Sequence, residues 1–150
     1  MVTIEKSCEM LASVDRVWEL ISDTDKDQEN WGAIKDIKVL KRDGNTIERE
    51  AMVGPGAFAR KSRQTLVLEP KRSIGMTMAG EGMGGERKIV LVPTGENRTR
   101  VDVSWSLEVK GVPGFVQNIV KSQISKATDT ALKKIKKEAE RGPPATKEGA

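Results

Sequence analysis

Between residues 34 and 109 the chain is a run of short alternating segments, each stopped by turn-forming residues, and one long amphipathic stretch follows it. That order leaves few folds open. Ile34–Arg42 stops at Asp43-Gly44-Asn45, and Asp-Gly between alternating segments marks a tight hairpin. Thr46–Val53 stops at Gly54-Pro55-Gly56, Phe58–Leu68 at Glu69-Pro70-Lys71, and Ser73–Ala79 at the glycine-rich stretch 80–85. Glu86–Val92 then stops at Pro93-Thr94-Gly95, and Thr99–Val109 at Gly111-Val112-Pro113-Gly114. Each segment is read as a strand. Connections this short join neighbours antiparallel, because a parallel pair needs a crossover of a dozen or more residues.

Before this run, Val2–Met10 alternates as well, with Ile4, Lys6, Cys8 and Met10 on one side and polar residues on the other, which predicts a further strand. Ser13 is placed to cap a helix, with Asp15 in its first turn and Val14, Val17, Trp18 and Ile21 at helical spacing. A second short helix is expected over Asp25–Asn30, ending at Trp31-Gly32. At the far end Phe115, Ile119, Val120, Gln123, Ile124, Ala127, Ala131, Leu132 and Ile135 recur at three- and four-residue steps. They lay one stripe along about 25 residues, roughly 38 Å of helix. A sheet this large must cover its apolar face, and the long helix is the element able to do so. The expected class is α+β: a seven-stranded curved antiparallel sheet wrapped around a long C-terminal helix, with two short helices after strand 1. Its 150 residues suit one domain, over 1–141, with 142–150 read as a disordered tail after Gly142-Pro143-Pro144.

Composition narrows the chemistry. The sequence has no His, no Tyr and one Cys, which removes an imidazole base, the commonest neutral metal ligand and a disulfide framework. No catalytic residue, metal site or cofactor is expected. Cys8 lacks a histidine partner and reads as a buried thiol. The Gly-rich stretch lacks the Gly-Lys-Ser/Thr ending and the following helix of a phosphate loop, so it reads as a hairpin. Glu48 and Glu50 share a strand face, and a solvated face beside basic residues accounts for them. Residues 1–31 carry a charge of −5 and the remainder +9. Lysines interleaved with acids and so few aromatics argue against specific nucleic-acid binding, leaving transient contact with an anionic membrane surface as the partner this charge would suit. The apolar runs are too short to span a bilayer and the N-terminus lacks a signal-peptide pattern, so the cytoplasm is expected.

The segment from Met10 to Asp23, with Val17-Trp18 and a closing Asp, resembles the opening of the helix-grip superfamily. That superfamily groups START-like lipid-transfer domains, polyketide cyclase/dehydrase proteins and the major birch pollen allergen. Ser13 stands where proline is usual. Trp31, the turn Glu69-Pro70-Lys71-Arg72, Pro93-Thr94-Gly95 and the strand from Thr99 to Trp105 also fit, and the resemblance covers residues 2 to 141. It implies an internal cavity for a hydrophobic or amphipathic small molecule, lipid- or isoprenoid-like. Aligned with that pattern, the inward candidates for binding are Lys6, Cys8, Met76, Met78, Arg87, Ile89, Leu91, Val103 and Trp105 from the sheet. The helix would add Phe115, Ile119 and Gln123, with Ala127 beyond them. Lys6 would need an acidic partner or a ligand head group unless it reaches water, and Arg49, Arg60 and Arg63 would cap the cavity mouth. Binding or transport is the expected function. A polyketide cyclase/dehydrase-like enzyme is the alternative. A protein-interaction module using Lys133, Lys134, Lys136 and Lys137 on the C-terminal helix is a second.

Overall fold

The computed structural model describes residues 1–32, 34–54, 59–80 and 82–141. Its order is β1 (Val2–Met10), α1 (Val14–Ile21), a 3-10 turn (Thr24–Lys26) running into α2 (Asp27–Asn30), β2 (Ile34–Asp43) and β3 (Thr46–Val53). Then come β4 (Arg60–Glu69), β5 (Ser73–Ala79), β6 (Met83–Gly95), β7 (Arg98–Val109) and α3 (Gly114–Arg141). All seven strands form one antiparallel sheet in the order β1-β7-β6-β5-β4-β3-β2. Only the β1–β7 pairing is non-local; the rest is a meander. This is the helix-grip arrangement expected from the sequence. The expected start of the third meander strand at Phe58 and the tail 142–150 lie outside the described residues.

Local chemistry accounts for most boundaries. Ser13 is extended and its Oγ accepts from the Arg16 backbone N–H at 3.2 Å, capping α1 as its position suggests. Gly44, at φ 59°, makes the two-residue turn between Asp43 and Thr46. Strand β2 lies at an edge of the sheet, and two register shifts break its pairing with β3. Its exposed Lys35, Lys38 and Lys41 guard that edge against pairing with another chain. Among the described residues no helix is long and apolar enough to cross a membrane.

Strand β6 enters the sheet earlier than its turn signals indicate, at Met83, so Gly84 and Gly85 are strand and not hairpin loop. Gly85 holds φ +140°, and a Cβ built on it would fall 2.0 Å from the Ser106 carbonyl oxygen on β7. Gly85→Ala is therefore expected to cost about 3 kcal/mol or more, from strain plus a backbone clash that no side-chain rotation relieves. A lower urea midpoint with an unchanged slope is the readout. At Gly75, on β5, an added Cβ meets nothing within 4 Å. Gly75→Ala should stay within about 0.5 kcal/mol of the parent and serves as control.

Helix α3 covers the concave face with Val116, Val120, Ile124, Thr128, Ala131, Leu132, Ile135 and Ala139. This corrects the inward set expected at its N-terminal half. Phe115 and Ile119 are 67% and 38% exposed, and Gln123 is exposed. The apolar stripe contains adjacent pairs, Ile119-Val120 and Gln123-Ile124, and a helix turned by one residue presents the other member of each. Thr128 settles the rotation: it accepts from Trp105 Nε1 at 3.0 Å and donates to the Ile124 carbonyl at 2.7 Å. A polar residue thus locks α3 onto β7 from inside the core.

Candidate functional site

The sheet register sets side chains in rows across the concave face. One row runs Ile4, Trp105, Arg87, Met76, Leu66, Ile47, each opposite the next on neighbouring strands. The row beside it runs Val2, Leu107, Gly85, Met78, Gln64, Arg49. Two arginines therefore point into a largely apolar core, Arg49 at 0% and Arg87 at 1% exposure.

They converge on one carboxylate. Asp27, 6% exposed at the start of α2, has its Oδ2 3.0 Å from Arg49 Nη2 and 3.6 Å from Arg87 Nη2. Arg49 is fully used. Its Nε donates to Gln64 Oε1 at 2.7 Å, its Nη1 to the Thr24 carbonyl at 3.0 Å, and its Nη2 also lies 3.5 Å from Met76 Sδ. It ties β3 and β4 to the segment that carries α2, which is a structural role.

Arg87 is different. Its contact with Asp27 is too long for a hydrogen bond, and among the described residues none of its Nε, Nη1 and Nη2 donates one. Two indoles flank it instead: the guanidinium carbon is 4.8 Å from the Trp31 ring centre and 5.7 Å from that of Trp105. The rings themselves meet edge to face at 6.0 Å. Burial pushes the Arg87 guanidinium below its ordinary pKa; Asp27 opposes this and the like charge of Arg49 adds to it. Two cations share one anion in a water-poor interior. Gln64 Nε2 and Ser62 Oγ, on the same face of β4, are also buried without a partner among the described residues. Unmade donors of this kind each carry a desolvation cost of about 1–3 kcal/mol and call for an account.

The structure brings Met76, Met78, Arg87, Ile89, Leu91, Val103 and Trp105 together as buried residues of the concave face. Lys6 is half-buried and pairs with Asp129 of α3 at 3.3 Å, joining strand to helix. Cys8 is half-buried, with Sγ 3.8 Å from the Glu9 carbonyl oxygen; burial pushes its thiol up, Lys136 pulls it down and Glu140 raises it. Phe115, Ile119 and Gln123 stand outside, as described above. Arg49 is corrected from cavity mouth to core, while Arg60 and Arg63 are exposed. Glu48 pairs with Arg63 at 3.1 Å and Glu50 with Lys61 at 3.7 Å, so this pair is part of a salted outer face.

Sequence reasoning missed Asp27, Gln64 and Thr128. A signal for Arg49 did exist, since Ile47, Arg49, Ala51 and Val53 share one parity of β3 and all are buried. Asp27 carries no such mark among its acidic neighbours.

Large side chains fill most of the interior. Between the sheet and the first turns of α3 a space of about 20 Å³ remains, lined by Met83, Val109, Val116 and Val120, with Arg60 and Lys110 at its rim. A cleft of about 430 Å³ lies elsewhere, between α2 and the C-terminal half of α3. Lys134 Nζ there donates to the Glu29 carbonyl at 3.1 Å, and its Lys26, Glu29 and Lys137 are exposed to solvent, so it lacks the buried unmet demand seen at Arg87.

Comparison with known proteins agrees with this architecture. The family described as polyketide cyclase / dehydrase and lipid transport matches residues 1–140. A protein of Thermus thermophilus is similar in structure, with a TM-score of 0.77 at 15% identity, over 91% of this chain and 96% of its own. A START superfamily protein of Mycobacterium smegmatis has a TM-score of 0.75 at 19% identity, over 92% and 99%. The Zhui aromatase/cyclase of a Streptomyces species has 0.74 at 12%, over 89% and 92%. At these identities the likeness is one of fold. No curated protein matches the chain.

Proposed function

Since the chain belongs to the polyketide cyclase / dehydrase and lipid transport family, we propose that it is a cytoplasmic carrier of an amphipathic small molecule, held between the sheet and α3 with an acidic head group on Arg87. The observation that carries this reading is the buried Arg87 guanidinium, none of whose nitrogens donates a hydrogen bond among the described residues. A carboxylate, phosphate or enolate oxygen would relieve that state, accepting two charge-assisted hydrogen bonds from one planar fork. The lipid- or isoprenoid-like part of the ligand would lie along Met76, Met78 and Met83, all buried. Thioether chains rearrange around irregular shapes at little cost, which matters here because so little free space remains inside. Loading is then a displacement of core side chains, and the apolar area removed from water drives it.

The test is native mass spectrometry of the protein purified from its own source. A bound small molecule that carries an acidic oxygen and leaves on denaturation is the expected result. A chain that is always ligand-free, or that carries only neutral hydrocarbons, sinks the reading.

A cyclase/dehydrase reading would use the same guanidinium to hold an enolate oxygen while a reactive chain folds. Proton traffic weighs against it. The sequence offers no His or Tyr, and the buried Asp27 carboxylate is already engaged by Arg49. Recovery of a cyclised product from an added linear polyketide would favour the enzyme over the carrier.

A further inference from the structure

The outward face of α3 sets lysines and hydrophobes on one side of the helix. Phe115, Ile119, Lys126, Lys133 and Lys137 are all exposed. They follow one another at steps of four and seven residues, which keeps them on one line of the helix. Lys134 flanks that line, and Lys121 lies well round the helix from it; both are exposed. The three acidic residues of α3 are all engaged elsewhere. Asp129 pairs with Lys6 at 3.3 Å, Glu138 with Arg141 at 3.4 Å, and Glu140 with Lys136 at 2.6 Å while accepting the Leu11 backbone N–H at 2.8 Å. None of the five exposed lysines has a carboxylate in ion-pair reach among the described residues. The face thus combines uncompensated cations with two bare hydrophobes at its N-terminal end. Beyond them, Lys110 and Arg60 rim the small space that opens between α3 and the sheet.

We propose that this face docks on an anionic lipid bilayer, with Phe115 and Ile119 entering the acyl boundary and the lysine row lying against the head groups. Charge complementarity picks out an anionic partner, and the apolar pair picks a bilayer over a nucleic acid. A polyanion in water offers nothing to bury Phe115 against, and its recognition favours arginine forks and stacking rings over lysine. Phe115 and Ile119 lie at the same end of α3 as the small space between that helix and the sheet. The inference does not depend on what the interior holds.

The experiment is co-sedimentation of the full chain with phosphatidylcholine vesicles, with and without phosphatidylserine. The expected result is partition into the anionic vesicles alone, weakening as salt rises. A lysine near such a surface is worth about a factor of five, so Lys126→Gln/Lys133→Gln/Lys137→Gln should lower the partition coefficient about 100-fold. Phe115→Ser/Ile119→Ser should lower it about tenfold or more. All five positions are exposed, and unchanged circular dichroism will verify that the variants fold. Absence of partition, equal partition into neutral vesicles, or full partition by the Phe115/Ile119 variant overturns the proposal. The last of these outcomes hands the lysine row to a nucleic acid or an acidic protein.

Discussion

Asp27→Asn is expected to remove about 3–5 kcal/mol of folding stability, a large share of what a domain of this size possesses. The substitution changes almost no volume, so lost packing cannot be the reason. It deletes the one negative charge set between two buried guanidinium groups, at 3.0 Å from Arg49 and 3.6 Å from Arg87. Arg49 keeps its bonds to Gln64 and to the Thr24 carbonyl. The two cations would then face each other across a neutral amide, and neither can reach water. Urea denaturation read from the fluorescence of the buried Trp31 and Trp105 measures the loss. The double variant Asp27→Asn/Arg87→Met sharpens it, because one of the two stranded charges is gone. We expect it to recover about 2 kcal/mol relative to Asp27→Asn alone, as contacting members of one network are not additive. An Asp27→Asn variant within about 1 kcal/mol of the parent would show that something other than Asp27 balances the arginines.

The fold was legible in the sequence because its signals are local and redundant. Asp43-Gly44, the turn Glu69-Pro70-Lys71 and the capping Ser13 each fix one boundary through their own backbone preferences, whereas β6 runs on through Pro93 and Thr94 to Gly95. What failed had to be decided by tertiary contact. On α3, Val120 and Ile124 won over Ile119 and Gln123 because Thr128 meets Trp105, an interaction that hydrophobic patterning hides by scoring threonine as polar. Gly85 reads as a loop residue, yet it belongs in the strand because β7 passes too close for a side chain. The site was half legible. Arg87 stands out by parity among Ile89 and Leu91, and the same parity could have caught Arg49. Asp27 lies in a short acidic helix where every neighbour looks alike, and only the folded chain shows which carboxylate turns inward.

Arg87→Met is expected to act in opposite directions on stability and on binding. Arg87 is a buried cation whose three nitrogens find no hydrogen-bond partner among the described residues, a cost of several kcal/mol. Against this stand the two indole faces, each worth about 1–2 kcal/mol when desolvated, and a long ion pair with Asp27 that Arg49 already serves. The cost is the larger side. Methionine spans a similar length, packs on tryptophan through its sulfur and asks for no hydrogen bond. The variant should therefore be more stable by about 1–2 kcal/mol, seen as a Tm raised by roughly 5 °C. Binding moves the other way. Removing one partner of a buried, hydrogen-bonded charge pair costs about 2–5 kcal/mol, so an acidic amphiphile identified by native mass spectrometry should lose about thirtyfold or more in affinity. A neutral analogue of the same length should lose little, since its apolar contacts are untouched. This pairing separates function from architecture: a structural arginine gives a less stable variant that still binds, whereas a ligand-holding one gives a more stable variant that does not.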